Sequence, residues 1–393
     1  MNKVYKNSTE VANLGGTPLY MADIADACLI GGLNLFLQGD TGSGKTQLAR
    51  DAMGYFPGKN TFVLGRNDMD VRELFQQINL GKLKTAKSSQ ELKEVTSKID
   101  NHLTIVDELP NCVPAVRAQL FNLFDGYIEI NGVAYPIGNG YSVGIATGNI
   151  GQRFTESANE LGRALRDRMH VIVDVDYFHP KPSDTLEILA GNTNPRVEFN
   201  SQGEDKSKQI ISEHKEIAAS QIPLEKMIIA NYLVHGLDYS EKGSKRAMKD
   251  AWPTQLEQHE QGSDVGLVLP VSTRAAKSTV RLSQALDKIA REKGGNPGAF
   301  ESMMQAYKMV STYSGVLNEA DVQNKYKGNH YDAMDALIST TRTQFNGQND
   351  NIAAGLEMAS KGEKDEKILK KFTGRWTFMK DTLESIINHN RGI

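Results

Sequence analysis

In the first half of the chain, short β-branched apolar runs alternate with stretches whose apolar residues recur at helical spacing, which predicts an α/β sheet with mostly parallel strands. The strand-like runs are Leu33–Leu37, Thr61–Leu64, Leu103–Val106, Ser142–Ala146 and His170–Val175, each apolar enough to be buried on both faces. Between them, a helix is expected over Leu19–Ile30, with Thr17 as its cap, Pro18 at its first position, and Gly31 and Gly32 ending it. A second helix is expected over Thr46–Met53. A third is expected over Val113–Phe124, where Val116, Leu120, Leu123 and Phe124 share a face. Asp125–Pro136 alternates about Asn131-Gly132, as a β-hairpin does. Beyond Asp176 the strand pattern ceases. His179-Pro180-Lys181-Pro182 reads as a linker, and Asn192–Lys208 reads as a polar loop. The rest is helical in pattern, with breaks near Gly262 and from Gly294 to Gly298, and it is charged from Gly347 onward.

Composition narrows the picture. A chain of 393 residues exceeds what one core usually serves, so two or three domains are expected. A net charge of −3 gives no sign of a surface that coats nucleic acid. The two cysteines, Cys28 and Cys112, lie far apart, and the eight histidines form no metal-binding spacing, so neither a disulfide framework nor a structural zinc site is expected. Cys112, Trp252 and Trp376 read as packing residues. The polar N-terminus lacks a signal-peptide core, and no run is long enough to span a membrane. A soluble, cytoplasmic protein is the expectation.

Residues 39–46 carry the candidate chemistry: Gly39, Asp40, Thr41, Gly42, Ser43, Gly44, Lys45 and Thr46 match the pattern G-x-x-x-x-G-K-[ST] between a predicted strand and a predicted helix. Glycines let a backbone wrap a phosphate with its N–H groups inward, and the following helix adds the positive end of its dipole. Lys45 is then expected to reach the β- and γ-phosphates of ATP, and the Thr46 hydroxyl to ligate Mg2+. The run Leu103–Glu108 (LTIVDE) delivers two carboxylates to a strand's C-terminal end, where ligands bind in open α/β sheets. Asp107 is the expected metal ligand. Glu108 is the expected base for an attacking water, the group that separates a hydrolase from a mere binder.

The sequence from about Leu33 to Leu189, and again around Arg274, resembles the MoxR-type AAA+ ATPases of the clade with an insertion in the second helix. Leu109-Pro110-Asn111 and Val116–Phe121 are similar to that family's "DEINRAPPKVQSALL" segment, and Ile128–Gly132 with Tyr135-Pro136 to its "VTVDGETYPL" stretch. Ile145-Ala146-Thr147-Gly148-Asn149 resembles its "IATQNP" sensor, with Gly148 and Ile150 as departures. The likeness implies that Asn149 holds the water or the γ-phosphate. Leu165–Met169 resembles "LDRF" and implies that Arg168 is an arginine finger acting on the neighbouring subunit's nucleotide, with Arg163 and Arg166 as rivals. His170 reads as a strand-start residue rather than a sensor. Val271–Ala275 resembles the second sensor, which implies Arg274, or failing it Arg281, as a contact to the γ-phosphate.

The resemblance implies a P-loop AAA+ core with a parallel sheet over residues 1–178, an α-helical lid over 179–295, and a helical C-terminal extension over 296–393. It further implies an ATP-hydrolysing subunit of a ring: a hexamer with a chaperone-like or complex-maturation role, often beside a von Willebrand A-domain protein. Two other readings stay open, a nucleic-acid-dependent motor and an ATP-binding structural subunit with little turnover. The hairpin from Asp125 to Tyr135 carries Asp125 and Glu129 and no basic residue, which points away from nucleic acid. Residues 81–101 and about the last ninety match the family poorly.

Overall fold

The structure is a computed structural model that describes residues 4–68, 70–79, 81, 93–130, 132–149, 163–191, 204–237, 239–240, 245–246, 268 and 271–390. Asn131, Ile150, Trp252, the break at Gly262, residues 82–92 and most of the loop at 192–208 lie outside the described residues.

The helix expected from Thr17 is corrected at its start. Thr17–Tyr20 is a strand, β2, paired antiparallel with β1 (Glu10–Leu14), and helix α1 begins only at Met21 and runs to Gly31. Gly15 and Gly16 have φ of 59° and 82°, so the two-residue loop is left-handed at both central positions, the geometry that matches hairpin twist. Pro18 is tolerated because, among the described residues, β2 pairs with β1 alone and leaves its other edge open. The Tyr20 N–H donates to Asp23 Oδ2 at 2.8 Å, so the role given to Thr17 falls to Tyr20 and Asp23.

The core elements follow in order: β3 (Leu35–Gln38), α2 (Lys45–Met53), β4 (Asn60–Leu64), β5 (Gln76–Ile78), β6 (Lys93–Val95), β7 (Leu103–Asp107), α3 (Pro114–Phe124), β8 (Tyr127–Ile130), β9 (Val133–Pro136), β10 (Val143–Gly148), α4 (Arg163–Arg168) and β11 (Val171–Asp174). Five of these strands form one parallel sheet in the order β11-β3-β10-β7-β4, so β10 lies between the strand that leads into the glycine-rich loop and the strand that ends in the acids. Every residue of β3, β7 and β10 is buried, as the runs of Leu, Ile, Val and Ala require. The expected hairpin forms from β8 and β9, and β5 and β6 make a second small one.

Asn34 locks the N-terminal edge of this sheet. Its side-chain amide donates to the carbonyls of Phe124 (2.7 Å) and Arg168 (3.0 Å), its Oδ1 accepts the Gly144 N–H (2.8 Å), and its own N–H donates to His170 Nδ1 (2.9 Å). His170 is thus a strand-start residue with a backbone partner.

The chain divides into two compact units. The first comprises residues 1–220 and 284–297 and adds α5 (Pro182–Ala190) and α6 (Ser207–Ala219) to the sheet and its helices. The second comprises residues 221–283 and 298–393. Its elements are α7 (Leu224–His235), the two-residue strands β12 (Tyr239–Ser240) and β13 (Lys245–Arg246), α8 (Thr273–Glu292, whose last turns belong to the first unit), α9 (Ala299–Ser311), α10 (Glu319–Tyr326), α11 (His330–Asn346), α12 (Asn349–Ser360), α13 (Glu366–Leu369) and α14 (Phe378–Asn390). The short β12–β13 ladder corrects the expectation that strands cease at Asp176. In this unit Tyr232 is fully buried against Phe345 and Trp376, whose ring centroids lie 4.9 and 5.0 Å away, which makes Trp376 a packing residue. Among the described residues no helix is long and apolar enough to cross a membrane.

Candidate functional site

The glycine-rich loop connects the end of β3 to α2 and turns back on itself. Gly42 and Gly44 have φ of 84° and 83°, and α2 starts with no side-chain cap, leaving its first amides to an anion. Lys45 is buried, at 6% exposure. Its ammonium donates to the carbonyls of Gly39 (2.9 Å) and Asp40 (2.6 Å) and to Ser43 Oγ (3.2 Å). Burial pushes its pKa down, against the opposing pull of Asp176, Glu108, Asp40 and Asp107. Thr41 is exposed, and its N–H donates to Asp40 Oδ1.

The second strand end meets this loop directly. The Thr46 hydroxyl donates to Asp107 Oδ1 at 2.9 Å, although 61 residues separate them. Glu108 follows, half-buried and in the left-handed region at φ 58° and ψ 43°, so the chain turns sharply where β7 ends. Burial raises the Glu108 carboxyl above the ordinary carboxylate range, the neighbouring Asp107 charge adds to the rise, and Lys45 partly offsets it. On the strand between, Asn149 follows β10, and its Oδ1 is buried without a hydrogen-bond partner among the described residues. A buried acceptor without a donor fits a polar ligand or a water at that edge. Lys45, Thr46, Asp107, Glu108 and Asn149 therefore all stand at the C-terminal ends of the adjacent strands β3, β10 and β7.

A divalent cation fits this donor set. Thr46 and Asp107 present one hydroxyl and one carboxylate side by side, the sparse protein contribution Mg2+ takes when phosphate oxygens and waters complete its shell. Among the described residues no group of three or more His, Cys, Asp or Glu forms a dedicated metal cage.

The candidate arginines stand on the helices α4 and α8. Arg168 ends α4, ahead of β11, and its carbonyl is bonded to Asn34 just before β3. Lys45 comes after the far end of β3, whose four residues span about 13 Å. The Arg168 Nε donates to Asp125 Oδ2 at 2.8 Å, and its guanidinium lies 5.0 Å from the Phe121 ring. The side chains are 25% and 28% exposed, so this is a partly solvated ion pair. Arg166 is half-buried on the same short helix as Arg163. Arg274 is exposed in the first turn of α8, within the second unit. Arg281, further along α8, has its pKa lowered by burial.

Three contributors were not read from the sequence. Asp176, after β11, accepts the Asp40 N–H at 2.6 Å, and a Cβ on Gly39 would lie 2.8 Å from its Oδ1. Tyr5 donates its N–H to Asp51 on α2 (2.8 Å), and its ring would lie 2.9 Å from a Cβ on Gly44. Thr147, fully buried on β10, donates its hydroxyl to Asp107 Oδ1 at 2.5 Å and accepts the Glu108 N–H at 3.2 Å. A lone threonine at the end of an apolar strand was the only signal for the last of these.

Residues 34–169 match the AAA domain of the dynein-related subfamily. Among solved structures the chain is similar to a protein from Cytophaga hutchinsonii named as a suspected ATPase, with 16% identity and a TM-score of 0.56 over 84% of this chain and 91% of that one. It is also similar to a full-length MCM homolog from Methanopyrus kandleri, with 15% identity and a TM-score of 0.45 over 75% of this chain and 55% of that one. No curated protein matches the chain in sequence. The domain match bears out the AAA part of the resemblance over residues 34–169, and the first of these structures bears out the α/β P-loop fold followed by a helical region.

Proposed function

We propose that this chain, whose residues 34–169 match the AAA domain of the dynein-related subfamily, is a MoxR-type AAA+ protein: an ATP-hydrolysing subunit of a ring that remodels or matures a protein client. The observation that carries this reading is the Thr46–Asp107 pair with a second carboxylate, Glu108, beside it at the same strand end. A nucleotide binder needs the first. Only a hydrolase has use for the second.

In this reading the triphosphate lies along the loop from Gly39 to Thr46, with Lys45 leaving its carbonyl partners for the β- and γ-phosphate oxygens. Thr46 and Asp107 would hold Mg2+, which when bound supplies positive charge to the phosphate oxygens. Glu108 aims and deprotonates the water, and a carboxyl raised toward neutrality is a better-matched base than an ordinary one. The open Asn149 Oδ1 would accept a hydrogen bond from that water and orient it. Arg168, held at the other end of the sheet, would serve a neighbour's nucleotide, with Arg163 and Arg166 as rivals for the role. Arg274 would contact the γ-phosphate from a lid formed by residues 179–295, with 296–393 as an extension. The ring would be a hexamer in the cytoplasm, and a von Willebrand A-domain protein is the partner that the family likeness suggests.

The test is steady-state phosphate release by the parent chain and by Glu108→Gln, with particle mass measured alongside, with and without a non-hydrolysable ATP analogue. Turnover falling by about a hundredfold or more with ATP affinity kept, and a nucleotide-driven shift to a hexamer, are expected. Equal turnover in the two proteins would leave a binding subunit, not an ATPase.

A further inference from the structure

The sharp turn at Glu108 is held from both sides. On the β4 side, the Gly65 N–H donates to the Asp107 carbonyl at 2.7 Å, and a Cβ on Gly65 would lie 2.5 Å from the Glu108 carbonyl oxygen. On the β10 side stands the Thr147 hydroxyl. It accepts a hydrogen bond from the Glu108 N–H and donates one to Asp107 Oδ1, the same oxygen that accepts from the Thr46 hydroxyl. One buried oxygen thus ties the backbone of the candidate base to the carboxylate that orients the candidate metal ligand.

We infer that Thr147 is a positioning residue of this site: its hydroxyl holds the left-handed Glu108 backbone, and through Asp107 the Thr46 hydroxyl, so that base and metal ligand face the same phosphate. The inference rests on the hydrolytic reading above. Thr147 is fully buried with its hydroxyl bonded to these two groups, so it acts through them. The direction of the Glu108 side chain follows from the conformation of its backbone, and φ of 58° is one that a glutamate adopts only where something holds it. The place of β10 in the sheet explains why the residue sits here. It pairs with β3 along one edge and β7 along the other, in register with Leu37 at Thr147, so a short hydroxyl at this position meets the end of β7 without displacing the strand.

The experiment uses the full chain and compares Thr147→Val, Thr147→Ser, Glu108→Gln and the parent. Valine keeps the shape and removes the hydroxyl, and serine restores the hydroxyl without the methyl. The expected result is kcat lowered by about 10–100-fold in Thr147→Val, the range for removing an outer-shell partner, with KM and Kd for ATP within about threefold of the parent. Thr147→Ser should recover kcat to within about threefold. A merely structural role would lower binding and turnover together, and serine would not rescue it, so either result overturns the inference. Parent-like kcat in Thr147→Val, with Glu108→Gln inactive, overturns it while leaving the hydrolytic reading intact. Equal turnover in parent and Glu108→Gln removes the hydrolytic reading and the inference with it. Nucleotide affinity reports whether each variant is folded, and Thr147→Ala, which adds no bulk, makes the same comparison if the valine does not fold.

Discussion

Gly148→Ala is the smallest change that tests how tightly the turn at the acids is packed. A Cβ at this position would lie 2.2 Å from Pro110 Cδ, 2.5 Å from its Cγ and 3.3 Å from Phe36 Cζ. Side-chain carbons do not approach closer than 3.0 Å, so the neighbour must retreat by the better part of an ångström. Pro110 is poorly able to do so. Its ring is closed onto its own backbone, it is buried, and it follows the left-handed Glu108 by two residues. The added methyl is therefore overpacked against a stiff partner, at a cost of about 2–3 kcal/mol. For a domain of this size the melting temperature should drop by about 5–10 °C. Because the retreat moves Pro110, it also disturbs Glu108, and turnover should fall further than stability alone accounts for.

Thermal unfolding followed by circular dichroism, with phosphate release in parallel, makes the measurement on Gly148→Ala, Pro110→Ala and the double variant. Contact predicts a coupling of about 1 kcal/mol or more, the double variant being less impaired than the sum of the singles. A Gly148→Ala protein that melts with the parent, or a double variant that is simply additive, would refute the reasoning. The contact also accounts for a departure from the family pattern. The resembling sensor has glutamine where this chain has Gly148, and with Pro110 in this place a larger residue has no room.

Two further outcomes are expected. The Glu108 carboxyl has a folded-state pKa above its unfolded value, so the stability it contributes is present below the ordinary glutamate pKa and is lost as pH rises through the raised one. Glu108→Gln should therefore melt above the parent near neutral pH, with the difference shrinking through the mildly acidic range and absent below the ordinary glutamate pKa; a parent that is the more stable at neutral pH contradicts the shift. The second concerns Arg168. Arg168→Ala should bind ATP normally and lose about a thousandfold in turnover. Mixing it with Lys45→Ala subunits, which keep the arginine but lack the loop lysine, should recover activity, and two inactive proteins that stay inactive when mixed would place the arginine's role within its own subunit.

What was legible in the sequence was local. The loop at 39–46 carries its chemistry in contiguous residues, and Asp107-Glu108 ends a run whose apolar pattern already marks a strand, so strand, loop and acids could be placed by inspection. The first helix was misread at Thr17 because a capping signal and a hairpin signal overlap there. Gly15-Gly16 supplies two left-handed positions in a row, and pairing with Glu10–Leu14 took Thr17 and Pro18 into a strand. The remaining contributors act over distance in the chain. Asp176 reaches Asp40 across 136 residues, and Thr147 reaches Asp107 across 40. No spacing rule links such residues, because only the strand order brings them together.

That same strand order carries the argument for a shared site. Arg168 is fixed by its carbonyl to Asn34, at the edge of the sheet where β3 begins, and by its side chain to Asp125, which follows the helix whose last carbonyl Asn34 also holds. The phosphate loop begins where β3 ends. An arginine anchored at one edge of a parallel sheet does not serve a triphosphate at the other, since β3 alone separates them by about 13 Å and the guanidinium is turned toward Asp125. If Arg168 completes a catalytic site, that site belongs to another copy of the chain. On that proposal the Asp125 pair would have a consequence: Arg168 would exchange one partly solvated carboxylate for a phosphate of higher charge, a trade that would favour assembly when the neighbour holds a triphosphate.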